Sequence, residues 1–70
     1  MVGDFKMELE RIFEANLGGM PEKVNQLIYT VFIAHEEGDV TEEHLMRYLN
    51  RFESFGHDVS LYRRYLETKK

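Results

Sequence analysis

The chain has 70 residues and a mass of 8.4 kDa, with 43% apolar residues, 13% aromatic residues and a formal net charge of -4. This length allows a single domain, residues 1–70, which the spacing described below predicts to be helical. The lack of cysteine excludes a disulfide framework and a thiolate-bound zinc cluster. No apolar run approaches the ~20 residues that a membrane span requires, so we expect no membrane-embedded segment.

Glycine and proline residues divide the chain into four segments, and the apolar residues of each segment recur three and four positions apart. This spacing is typical of amphipathic helices, and no segment sustains the period of two that indicates a strand. We therefore predict an all-α fold, a compact bundle of four short helices at about 4–16, 21–37, 41–55 and 58–69. The second predicted helix is apolar around most of its circumference, so we expect it at the centre of the bundle.

The ends of the first two predicted helices carry recognisable signals. Gly18 and Gly19 follow the first helix, where we expect a glycine to provide a left-handed stop. Pro21 suits the first position of the second helix, because the N–H that proline lacks has no partner there. Gly38 marks the end of the second helix.

The third and fourth predicted helices each begin after a side chain that can cap a helix. Thr41 is a plausible N-cap of the third helix, and Asp39 with an acidic residue three positions later is an alternative capping box. Gly56 is expected to end the third helix, and Asp58 is expected to cap the fourth. The sequence leaves the choice between Thr41 and Asp39 open.

The expected core consists of the apolar residues that fall on one stripe of each predicted helix. It contains Phe5, Leu9, Ile12, Phe13, Leu17, Val24, Leu27, Ile28, Val31, Phe32, Leu45, Leu49, Phe52, Val59, Tyr62 and Leu66.

Charge is unevenly distributed along the chain. Residues 1–46 hold 3 basic and 10 acidic side chains, whereas residues 47–70 hold 6 basic and 3 acidic ones. One interpretation is that the acidic and basic halves face each other, within the bundle or across a dimer. The other is a basic C-terminal face that binds an anionic partner.

The densest polar cluster, residues 35–44, holds two histidines and five carboxylates. Its spacing matches neither the zinc motif of two histidines one helical turn apart nor the calcium loop of an EF-hand. We interpret it as a solvated acidic connection and predict no metal site, no catalytic residues and no cofactor. His35 falls on the apolar stripe of the second helix, so we expect it to be a hydrogen-bonded core or boundary residue.

Several large apolar side chains lie off the inward stripes, and aromatic residues and methionine are enriched at protein interfaces. We expect some of them to be exposed and to form a partner or dimer interface. The predicted interface residues are Tyr29, Ile33, Met46, Tyr48 and Tyr65. The sequence therefore favours a homodimer formed through the apolar and aromatic surfaces of the second and third helices.

A DNA-binding alternative rests on the last three predicted helices. The stretch 34–45 loosely resembles the entry to the second helix of winged-helix domains, where a glycine loop precedes Thr-Glu-Glu and an apolar residue. This resemblance implies that the basic last helix would contact DNA. The long third segment and the lack of a wing sequence depart from the pattern. The candidate contacts are Ser60, Arg63, Arg64, Lys69 and Lys70.

The function that the sequence favours is binding of a protein partner. We expect a non-enzymatic, cytoplasmic interaction or regulatory protein, with the DNA-binding regulator as the main alternative. An acidic inhibitor that imitates nucleic acid is a further alternative, although a net charge of -4 is modest for that role.

Overall fold

The computed structural model describes the backbone of residues 4–68 and the side chains of residues 5–68. Over this range the chain forms four helices: α1 (Asp4–Ala15), α2 (Glu22–Glu36), α3 (Glu42–Ser54) and α4 (Ser60–Thr68). The all-α prediction is confirmed, and each predicted boundary lies within two residues of the observed one.

The central position of α2 is also confirmed, because α2 packs against both α1 and α3. The last helix, α4, packs against α1. This arrangement places the sequence-distant α1 and α4 side by side. The bundle measures 32 × 24 × 19 Å.

The buried apolar residues come from all four helices and from the turns before α2 and α4. They are Leu9, Met20, Ile28, Phe32, Leu45, Leu49, Val59, Tyr62, Tyr65 and Leu66. Most were expected from the apolar stripes, and other expected members pack half-buried against this cluster. These half-buried members are Phe5, Ile12, Val24, Val31 and Phe52.

The predicted burial of two core residues is wrong. Leu17 is 49% exposed, because α1 ends at Ala15 and the chain then turns away from the helical stripe. Leu27 is 55% exposed, because the buried face of α2 is centred on other positions of the helix. The side chain of Met20, in the turn before α2, is buried although the stripes did not predict it.

Glycines end α2 and α3 as expected, and both adopt the left-handed conformation. Gly38 has φ +90° and Gly56 has φ +96°. After α2, the N–H of Gly38 donates to the carbonyl of His35, and the N–H of Asp39 donates to that of Ala34. The same pair of hydrogen bonds follows α3, so both ends are Schellman motifs. These bonds satisfy carbonyls that the helix itself leaves unpaired.

The glycines after α1 behave differently from the prediction. Neither Gly18 nor Gly19 has a positive φ. The turn instead uses the carbonyl of Asn16, which accepts from the N–H groups of Gly19 and Met20. The expected left-handed stop is therefore wrong at this position.

Replacing Gly56 by alanine should lower the free energy of unfolding by about 1–2 kcal/mol, because a Cβ atom is strained at positive φ. No atom lies within 4 Å of the added Cβ, so steric overlap does not contribute. Urea denaturation measures the change. Gly18→Ala is the matched control, since its surroundings are equally open and its φ is not positive. Equal stability of the two variants would contradict the assignment.

Side-chain hydrogen bonds also stabilise the connections from α2 to α3 and from α3 to α4. The hydroxyl of Thr41 accepts from the N–H of His44 at 3.2 Å, which decides the cap of α3 in favour of Thr41. The Nδ1 atom of His35 lies 2.8 Å from the carbonyl oxygen of Val40, so the expected hydrogen bond of His35 is confirmed. Before α4, Asp58 accepts from the N–H of Ser60 at 3.0 Å, which fulfils its predicted capping role.

Candidate functional site

One face of α3 combines exposed aromatic and cationic side chains. It consists of His44, Arg47, Tyr48, Arg51 and Phe55, and we call it the α3 surface. Their spacing of three and four residues places the first four side by side on the helix, and Phe55 continues the row at the C-cap of α3. Tyr48 is 40% exposed and Phe55 is 70% exposed. A shallow depression runs along the first four of these residues.

The α3 surface lies beside the buried face of the same helix. Leu45 and Leu49 are fully buried and attach α3 to the core. The Tyr48 ring stacks on the half-buried Phe52 ring at a centroid distance of 6.3 Å, and His44 approaches Tyr48 at 6.0 Å. The Tyr48 ring thus packs against the Phe52 ring, while part of the Tyr48 ring remains accessible to solvent. A rigid, partly exposed aromatic ring is a suitable anchor for a partner.

The cations of the α3 surface are only weakly neutralised. Arg47 lies 3.7 Å from Glu43, but both side chains are more than 70% exposed, so the pair is screened by water. Among the described residues, Arg51 makes no ion pair. The guanidinium groups therefore remain available to a second molecule.

A second surface lies between α1 and α2 and has the opposite charge. Phe13, Leu17 and Tyr29 form its apolar part, and Glu10 and Glu14 line it from α1; we call it the α1/α2 groove. The rings of Phe13 and Tyr29 contact each other at a centroid distance of 5.4 Å. The groove shares no residue with the α3 surface.

The structure separates the five residues predicted for the interface. Tyr48 lies on the α3 surface and Tyr29 lines the α1/α2 groove. Ile33 and Met46 are half-buried and pack against the core. Tyr65 is only 4% exposed, so its expected exposure is wrong and its ring belongs to the core of a single chain.

Tyr65 is buried because α4 turns it towards the centre of the bundle. Its ring meets the Phe32 ring edge-on at a centroid distance of 5.7 Å. Burial raises the pKa of the Tyr65 hydroxyl, and the neighbouring carboxylates of Glu36 and Glu8 raise it further. This environment favours the neutral phenol.

The residues that join the predicted Tyr48 on the α3 surface follow a pattern visible in the sequence. His44, Tyr48, Arg51 and Phe55 recur at intervals of four, three and four residues, which defines a continuous helical stripe. This stripe runs one residue out of step with the apolar stripe that contains Leu45. A search for two stripes on one helix would have found it.

The structure also contains a buried polar cluster that the sequence analysis missed. Asn25 is fully buried; its Nδ2 donates to the carbonyl of Phe13 at 2.8 Å, and its Oδ1 accepts from the Tyr62 hydroxyl at 2.6 Å. Asn25 thereby joins α1, α2 and α4. Its position three residues before the buried Ile28 was the available signal.

The Tyr62 hydroxyl should ionise well above the pH at which tyrosine ordinarily ionises. Burial raises the pKa of Tyr62 from 10.0 to about 12, against a smaller opposite effect of Asn16. The unfolded chain loses this proton at a lower pH than the folded chain does. The contribution of the neutral Tyr62 hydroxyl to stability is therefore fully present below pH 10 and is lost as the pH rises towards 12. Tyrosinate absorbance, compared between the wild type and Tyr62→Phe, measures the shift. Ionisation of Tyr62 near pH 10 in the folded protein would contradict it.

Three of the five residues of the DNA-binding alternative lie on α4 within the described part of the chain. Arg63 donates to Glu53 at 2.8 Å and to Asn50 at 2.7 Å, so its guanidinium group is engaged in joining α4 to α3. Ser60 and Arg64 are exposed. The remaining two predicted contacts, Lys69 and Lys70, lie outside the described residues.

No group of three or more potential metal-ligating side chains comes together among the described side chains of residues 5–68. Over the same part of the chain, no helix combines the length and the apolar character needed to cross a membrane.

No protein-family model matches the chain, and neither the curated proteins nor the solved structures contain a significant match. The function is therefore inferred from the surfaces described above.

Proposed function

We propose that the chain is a non-enzymatic interaction or regulatory protein of the cytoplasm that binds a protein partner, including a second copy of itself, through the α3 surface. The observation that carries this proposal is that α3 presents exposed aromatic side chains beside cations on the face next to its buried one. Leu45 and Leu49 lie on one face, which packs against the core. On the other face, the rings of Tyr48 and Phe55 are exposed to solvent. Burial of these two rings against a partner would remove their apolar area from water.

The composition of the α3 surface supports protein binding. Tyrosine, phenylalanine and arginine are enriched where protein partners meet, and a few such residues supply most of the binding energy. Tyr48 provides a rigid ring at low cost in side-chain entropy, while Arg47 and Arg51 provide cations. A partner with apolar side chains and carboxylates would match this arrangement.

The proposal is tested with a double variant that alters the α3 surface alone, Tyr48→Gln with Arg51→Gln. Both side chains are exposed, and glutamine is a good helix former, so we expect the fold to be retained. The immobilised wild type should retain a partner from an extract of the source cells. The variant should bind the identified, purified partner about thirtyfold more weakly by calorimetry, which corresponds to the loss of one hot spot.

The matched control is Lys23→Gln with Leu27→Gln. It also removes one cation and one exposed apolar side chain, but from the outer face of α2. We expect this control to bind as the wild type does. Equal binding by the α3 variant, or equal losses in both variants, would refute the role of the α3 surface.

The DNA-binding alternative loses one of its described candidate contacts, because Arg63 is held by Glu53 and Asn50. A titration with duplex DNA at two salt concentrations distinguishes the alternatives. Phosphate contacts would produce a steep loss of affinity as salt rises.

A further inference from the structure

We infer that copies of this chain associate head to tail, with the α3 surface of one copy seated on the α1/α2 groove of the next. This inference rests on the proposed function and names the second copy as the partner. The two surfaces share no residue, so a single chain can use both at once.

Charge complementarity supports this pairing. The α3 surface contributes the guanidinium groups of Arg47 and Arg51, whereas the groove contributes the carboxylates of Glu10 and Glu14. The intramolecular ion pair between Arg63 and Glu53 joins α4 to α3, and that between Arg47 and Glu43 lies within α3. Neither of these pairs joins α3 to the acidic groove, so that complementarity remains available to a neighbouring copy.

The apolar parts of the two surfaces also match. Tyr48 and Phe55 project from the α3 surface, and Leu17 is exposed beside the rings of Phe13 and Tyr29 in the groove. A standard interface covers about 800 Å² of each partner, which is about one sixth of the 4979 Å² accessible surface of the chain. Two such contacts fit on one molecule.

A symmetric dimer through two α3 surfaces is less favourable. A two-fold axis would bring Arg47 and Arg51 of both copies into one interface, and like charges brought together oppose association. Seating the α3 surface on the groove instead places each cation near a carboxylate. Because this contact joins two different surfaces, it forms open chains or closed rings.

Light scattering with three proteins and one control variant tests the inference. The first is the wild type, and the second carries Tyr48→Gln with Arg51→Gln. The third carries Glu14→Lys with Leu17→Lys, which makes the groove repel the α3 surface. All four positions are exposed, and circular dichroism confirms that each variant folds.

The wild type should exceed its 8.4 kDa monomer mass as its concentration rises from micromolar to millimolar, and salt at about 1 M should reverse this. Each double variant alone should remain a monomer. An equimolar mixture of the two should form a dimer and stop there, because only one working contact remains. The control Lys23→Gln with Leu27→Gln should associate as the wild type does.

Other results would overturn the inference and bear separately on the proposed function. A wild type that stays monomeric at millimolar concentration refutes head-to-tail association, while binding of a different partner through α3 would still stand. If the groove variant dimerises alone and the α3 variant does not, the contact is symmetric. If neither variant weakens association, both the inference and the role of the α3 surface in self-association fail.

Discussion

Replacing Asn25 by aspartate should unfold most of the protein at neutral pH. The substitution keeps the shape of the side chain but replaces the Nδ2 donor, which lies 2.8 Å from the Phe13 carbonyl, by an oxygen. A buried, uncompensated carboxylate costs about 3–5 kcal/mol. A helical domain of this size has a net stability of about 3–5 kcal/mol. The expected loss is therefore as large as the whole stability.

The Asn25→Asp variant should regain stability in acid. Burial raises the pKa of the introduced carboxyl in the folded state, so the folded form binds its proton more tightly than the unfolded form does. The stability difference from the wild type should be smallest below pH ~4 and should grow as the pH rises. Urea denaturation at several pH values measures this difference.

Asn50→Asp is the matched control for the change at Asn25. Asn50 is exposed and its Oδ1 accepts from Arg63, so a carboxylate can take over this contact and gains an attraction to the guanidinium group. We expect this variant to be as stable as the wild type at neutral pH. If Asn25→Asp were as stable as the wild type at neutral pH, the buried cluster would not hold the helices together.

The second large effect is expected at Phe32. Its ring is fully buried and contacts the rings of Tyr62 and Tyr65 at centroid distances of 5.1 and 5.7 Å. Phe32→Ala removes these contacts and leaves a cavity between α2 and α4, at a cost of about 3–5 kcal/mol. Thermal and urea denaturation, followed by circular dichroism, should show a largely unfolded variant at room temperature.

Phe55→Ala provides a matched control, because the same side chain is removed from a 70% exposed position. We expect its stability to remain within about 0.5 kcal/mol of the wild type. Its association should weaken, since Phe55 belongs to the α3 surface. A large loss of stability in Phe55→Ala would mean that this residue packs against the fold, and the proposed interface would lose one of its anchors.

The placement of the aromatic residues shows how far the sequence alone can locate a binding site. Tyr48 and Tyr65 both lie off the first apolar stripe of their helices, and the sequence treats them alike. The structure buries Tyr65 against the Phe32 ring of α2, whereas Tyr48 on α3 stays 40% exposed. The difference depends on which face of each helix meets a neighbour, and helical spacing does not contain that information.

The sequence by itself determined the four helices and the ends of α2 and α3, because apolar spacing and the glycines at positions 38 and 56 act within one or two turns of the chain. Only the tertiary structure decided that Asn25 is buried and Leu27 exposed on the same helix. It also placed the basic face of α3 apart from the acidic groove. Burial and charge pairing depend on contacts between helices that are distant in the chain, and many ways of packing the same helices satisfy the local pattern equally well.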